Sequence, residues 1–104
     1  MYFLLLYDLV DEYLDRRPEF RPDHLALAQA AYARGELKLA GALDDPVDRA
    51  VLVFEGDDER VAAAFAEQDP YVKNGLVKSW QVRKWTVVIG EGITPPTSTS
   101  KPPT

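Results

Sequence analysis

Tyr2-Phe3-Leu4-Leu5-Leu6-Tyr7, closed by Asp8, is the stretch that decides the fold. Six apolar residues in a row are too few for a helix and fit a strand covered on both faces. Large side chains on both sides of one strand need two covers. The chain's own helices supply one, and the other has to come from elsewhere.

Residues 8–17 are charged and irregular, with weak helical signals around Tyr13-Leu14. Phe20-Arg21-Pro22 predicts a helix start, because proline suits the first turn and Asp23 complements the positive helix end. Leu25, Ala28 and Tyr32 recur at helical spacing, and Gly35 stops the helix. Leu37 to Leu43 alternates like a half-buried strand, with Leu37, Leu39, Gly41 and Leu43 on one side. A turn over residues 44–48 joins it to a second short strand, Ala50 to Phe54, making a hairpin. Gly56-Asp57-Asp58 offers an N-cap ahead of Val61, Ala62, Phe65 and Ala66, a second helix that Asp69-Pro70 ends. Tyr71 to Leu76 reads as a loop or short turn closed by Gly75, and a last strand runs over about Lys78 to Ile89.

The order is β-α-β-β-α-β. Two right-handed crossovers around a central hairpin predict an α+β, ferredoxin-like four-stranded antiparallel sheet with both helices on one face. The other face stays open and apolar. That predicts a homodimer packed sheet to sheet, burying roughly 1,200–2,000 Å².

Composition narrows the function. The chain has 104 residues, of which 46% are hydrophobic and 28% charged, enough for one globular domain. Residues 1–89 form that domain, and 90–104, with four of the eight prolines, read as a Pro/Thr/Ser-rich tail. Cysteine is absent, which removes disulfides, thiolate metal sites and cysteine nucleophiles. A net charge of −5 disfavours a nucleic-acid or anionic-membrane partner. The apolar opening lacks a basic flank, a cleavage site and the length of a membrane span, so a cytoplasmic location is expected.

Few residues carry chemistry. His24 is the sole histidine, and at the start of a helix it would be held neutral, as a general base requires. Asp69, before Pro70 and Tyr71, has two readings: a local turn-capping residue, or the carboxylate that orients His24 from the second helix. Asp8, Asp11, Glu12 and Asp15 match no calcium loop, the serines sit in no nucleophile elbow, and the glycines form no phosphate cradle. Trp80, Trp85 and Tyr71 read as core or dimer contacts, or as the lining of a pocket for an aromatic ligand.

Arg21-Pro22-Asp23-His24-Leu25-Ala26, Leu39-Ala40-Gly41-Ala42-Leu43 and Asp69-Pro70-Tyr71-Val72 with Gly75-Leu76 resemble, in order and spacing, the YCII-related (YciI-like) family. The opening and closing strands extend that resemblance over residues 1–89. The resemblance implies a ferredoxin-like fold paired as a dimeric α/β barrel. It also implies a His–Asp pair associated with acid–base chemistry, which maps onto His24 and Asp69. Members are linked to removal of halide from chlorinated hydroxyquinols. The family often has proline after the strand glycine, where this chain has Ala42; that bears on substrate shape more than on the pair.

The expectation is an acid–base enzyme of elimination (lyase) or hydrolase type, acting on a small aromatic or oxygenated molecule. His24 is its base or acid and Asp69 the orienter, with Tyr7, Arg21, Tyr71 and Trp85 edging the pocket. No metal or organic cofactor is implied. The alternative is a non-catalytic dimeric module that binds a ligand or a partner.

Overall fold

The opening strand β1 spans Tyr2–Leu9, and its two sides differ. Phe3, Leu5, Tyr7 and Leu9 are buried, whereas Tyr2, Leu4, Leu6 and Asp8 retain part of their exposure. The computed structural model describes residues 1–93. After β1 come α1 (Tyr13–Ala33), β2 (Leu37–Ala42), β3 (Arg49–Glu55), α2 (Arg60–Gln68), α3 (Pro70–Lys73) and β4 (Val77–Trp85). The strands form one antiparallel sheet in the order β2-β3-β1-β4, the ferredoxin-like arrangement expected. Leu5 faces Leu52 of β3 and Val82 of β4, and α1, α2 and α3 cover that side. Phe54 and Phe65, with ring centroids 5.3 Å apart, join sheet to helix in the core.

Five local expectations are corrected. The first helix begins at Tyr13, well before Phe20, so residues 13–17 are helical rather than irregular. Tyr13 is buried with its ring edge-on to Tyr71 at 5.6 Å, and Arg16 donates to the carbonyls of Asn74 and Gly75. These tertiary contacts outweigh the cost of Pro18 and Pro22 inside the helix. Both prolines are exposed, so the carbonyls they leave unpaired face water.

In β2 a register shift between Leu37 and Leu39 breaks the expected alternation. Leu37 is buried against Phe54, while Leu39 turns to the open face and is 72% exposed. The cap of α2 is Glu59, and Asp58 instead accepts the Arg60 N–H through its side chain at 2.9 Å. The segment after Pro70 is a short helix rather than a loop.

The last strand stops at Trp85, short of Ile89, for a simple reason. It is an edge strand whose partner is β1, and Trp85 already faces Tyr2 at the start of β1. Beyond that point no ladder remains. The tail read from residue 90 lies, after Ile93, outside the described residues.

Gly35 and Gly75 end α1 and α3 with φ of 81° and 78°. In each case the glycine and the residue after it bond back to the last turn, from Gly35 to Tyr32 and Glu36 to Ala31, and from Gly75 to Val72 and Leu76 to Tyr71. A left-handed residue is what this C-terminal motif needs, and glycine meets it without strain. Among the described residues no helix is long and apolar enough to cross a membrane.

Candidate acid–base site

The early start of α1 places Tyr13, Arg17, Arg21, His24 and Ala28 at steps of four, four, three and four residues. At 3.6 residues per turn these share one stripe of the helix. That stripe faces β2 and β3, where the opposing side chains are small: Ala40, Ala42 and Ala50, backed by Leu52. Helix and sheet therefore cannot close on each other, and a cavity of about 160 Å³ remains. It is comparable to the roughly 150 Å³ void that accommodates a benzene ring in a protein core.

Asp69 reaches the site from the opposite direction. Its backbone is extended (φ −69°, ψ 122°), ending α2 and opening α3, with Pro70 as the first helical residue. The carboxylate is fully buried. Its Oδ1 accepts the Tyr71 backbone N–H at 3.0 Å and lies 2.8 Å from Nδ1 of His24, while Oδ2 accepts the Tyr7 hydroxyl at 2.7 Å. The two readings of Asp69 are thus compatible in one residue: it caps α3 and it touches the imidazole. Three donors on one buried carboxylate replace the water it has lost.

His24 is held on three sides. Asp69 takes Nδ1, the Tyr71 ring lies flat against the imidazole at 3.8 Å with planes 6° apart, and Phe65 approaches edge-on at 6.3 Å. With Nδ1–H donated to the carboxylate, the neutral ring carries its lone pair on Nε2, the nitrogen across the ring. The expectation that a helix end keeps His24 neutral fails, because the residue sits mid-helix, away from both termini. Its orientation comes from Asp69 and Tyr71 instead.

Both tyrosines are poor acids that hold their protons. Burial, then the charge of Asp69 and the hydrogen bond to it, pushes the Tyr7 phenol far above its usual range. Burial pushes Tyr71 up to about 12, against the lowering influence of Arg21 and Arg17. Among the described residues the Tyr71 hydroxyl is buried without a hydrogen-bond partner.

Of the residues singled out in the sequence, Tyr7, Arg21, His24 and Tyr71 line one cavity, and Asp69 stands behind it. Trp85 does not join them. It pairs with Tyr2 at the far end of the sheet, five strand positions from Tyr7, or about 17 Å along β1. Tyr13 and Arg17 line the cavity too and were missed. The i, i+4 spacing from Tyr13 to Arg17 to Arg21 was the available signal, masked by reading Pro22 as a helix start. Among the described residues no group of three His, Asp or Glu side chains is placed to hold a metal ion.

A family model described as the YCII-related domain matches residues 1–86. Among solved structures the chain is similar to 5-chloro-2-hydroxyhydroquinone dehydrochlorinase from Burkholderia phenoliruptrix AC1100, in complex with 2,5-dihydroxybenzoquinone. The identity is 22% and the TM-score 0.70, covering 90% of this chain and 100% of that one. A protein from Agrobacterium tumefaciens is similar at 14% identity and a TM-score of 0.51, over 79% of this chain and 88% of that one. At such identities the likeness establishes the fold. No curated protein matches the chain.

Proposed function

Because the chain belongs to the YCII-related family, we propose that it is an enzyme of elimination type, using His24 and Asp69 on a small oxygenated ring held between α1 and the sheet. The observation that carries this reading is the 2.8 Å contact between His24 Nδ1 and a carboxylate buried without exposure, at the wall of a ring-sized cavity. In the reaction, Nε2 of His24 takes a proton from the substrate. The electrons freed form a new π bond, and a leaving group departs from the neighbouring carbon with its bonding pair, so the substrate loses H–X overall. Asp69 stabilises the imidazolium and keeps the ring in register, as a carboxylate does for a catalytic histidine elsewhere. The dehydrochlorinase with a similar fold acts on a chlorinated hydroxyhydroquinone, which supports a ring of that size and polarity here.

The working unit in this reading is a dimer. Leu4 and Leu6 of β1, Val51 and Val53 of β3, and Leu39 of β2 share the face opposite the helices. With that apolar face uncovered, a second copy packed against it would bury the area of a stable interface. A second copy also explains why both sides of Tyr2 to Tyr7 are apolar.

The test is halide release from a panel of chlorinated hydroxyquinols by the purified full chain. Turnover of at least one member is expected. No release from any of them, alongside tight binding of the dechlorinated quinones, would favour the non-catalytic ligand-binding alternative.

A further inference from the structure

Three groups in the cavity have no role in the proton transfer. Arg17 and Arg21 stand one turn apart on the stripe that carries His24, and both line the cavity. Among the described residues, Arg34, Arg49 and Arg60 each have a carboxylate within 3.6 Å, and Arg16 is spent on backbone carbonyls; Arg17, Arg21 and Arg83 have no acidic partner, and of these three only Arg17 and Arg21 line the cavity. Arg17 rests instead over the Tyr13 ring, 5.5 Å from its centre. The third group is the Tyr71 hydroxyl, on a residue only 2% exposed, lining the same cavity with no hydrogen-bond partner among the described residues.

Two guanidiniums without a carboxylate of their own leave positive charge at the cavity, and a buried donor left unmade is costly. Both are resolved by one ligand feature. We propose that Arg17, Arg21 and the Tyr71 hydroxyl form an anion-recognition subsite, so that the substrate is a planar ring bearing an ionised oxygen group beside the position where His24 acts. This rests on the reading of the cavity as the substrate site and names the class of molecule it takes. The negative charge of Asp69 lies behind the imidazole, where three donors engage it, while the two guanidiniums stand at the cavity itself. Tyr71 keeps its proton at neutral pH, burial having pushed it up to about 12, and so remains a donor. A guanidinium matches a carboxylate or phenolate oxygen through charge-assisted bonds, which are stronger than neutral ones.

Binding to the full chain tests this with two matched probe pairs, benzoate against benzamide and 4-nitrophenolate against 4-nitroanisole, by calorimetry. The expected result is at least tenfold tighter binding of the anion in one pair, and which pair responds identifies the group. Arg17→Gln and Arg21→Gln should each reduce that preference about tenfold, and Tyr71→Phe should weaken the anion while leaving the neutral probe unchanged. Circular dichroism of each variant checks the fold, and the ratio of anion to neutral probe is insensitive to a general loss of packing. Equal binding within both pairs, no binding of either anion, or a preference that survives the double variant Arg17→Gln/Arg21→Gln would overturn the proposal. Because no turnover is measured, these outcomes are independent of whether His24 is catalytic.

Discussion

The Tyr7 hydroxyl donates a 2.7 Å hydrogen bond to the Asp69 oxygen that His24 does not use. The two residues are separated by 62 positions, and the bond ties the centre of the sheet to the junction of α2 and α3. Asp69 is therefore braced from the strand, from its own backbone turn and from the imidazole.

Removing the brace has a defined cost. Tyr7→Phe leaves Oδ2 of a fully buried carboxylate without its donor, which should destabilise the fold by about 1–3 kcal/mol. Urea unfolding of wild type and variant measures it. A midpoint unchanged at equal slope would mean that Oδ2 is satisfied some other way.

Asp69→Asn tests the carboxylate's charge separately from the fold. An amide oxygen in the Oδ1 position still accepts both the Tyr71 N–H and the Nδ1–H of His24, so α3 and the ring tautomer should persist, while the NH₂ takes the place of Oδ2 and donates to the Tyr7 oxygen. What is lost is the negative charge beside the imidazolium, and turnover should fall by about 10²–10⁴ with the ¹⁵N NMR tautomer unchanged. Full activity would remove the Asp69 charge from the mechanism.

Much of this site is legible in the sequence, and its gaps have physical causes. The apolar run from Tyr2 to Tyr7 names the central strand because no other stretch places six large apolar side chains in so short a length. His24 and Asp69 stand out by the family's spacing. What periodicity cannot show is tertiary: α1 is stabilised through Tyr13 on Tyr71 and through Arg16 on the end of α3, contacts between residues nearly 60 apart. Without them Pro18 and Pro22 read as breakers, and Arg17 drops out of the site. Trp85 fails for the opposite reason. Its residue type suits a pocket, but its register opposite Tyr2 sends it to the wrong end of the sheet.

Alkaline pH should expose the two raised tyrosines. Both phenols hold their protons in the folded chain beyond the ordinary value of 10, Tyr71 up to about 12 and Tyr7 further. The unfolded chain ionises near 10, so above that pH the native state binds more protons and stability must fall as pH rises. Each tyrosine's contribution to stability is present in full below pH 10, and above it falls by up to about 1.4 kcal/mol per pH unit until the raised folded-state pKa is passed. Denaturant midpoints measured between pH 9 and about 12 should show this decline, shallower in Tyr7→Phe and in Tyr71→Phe. A flat profile would contradict the burial of both groups.

The open face makes its own prediction. Leu6 lies on the side away from the helices, opposite Val51 and Gln81, where it packs against nothing in its own helices. Leu6→Lys should convert a dimer to a monomer in sedimentation velocity while leaving the helix-side core intact by circular dichroism. A monomeric wild type at micromolar concentration would refute the sheet-to-sheet pairing.

The central claim is that His24, steered by Asp69, moves the proton. The most direct measurement is the rate of halide release from a chlorinated hydroxyquinol by His24→Ala beside the wild-type chain, both verified as folded. A loss of about 10²–10⁴ in turnover is predicted. Equal rates for the two proteins would contradict the assignment.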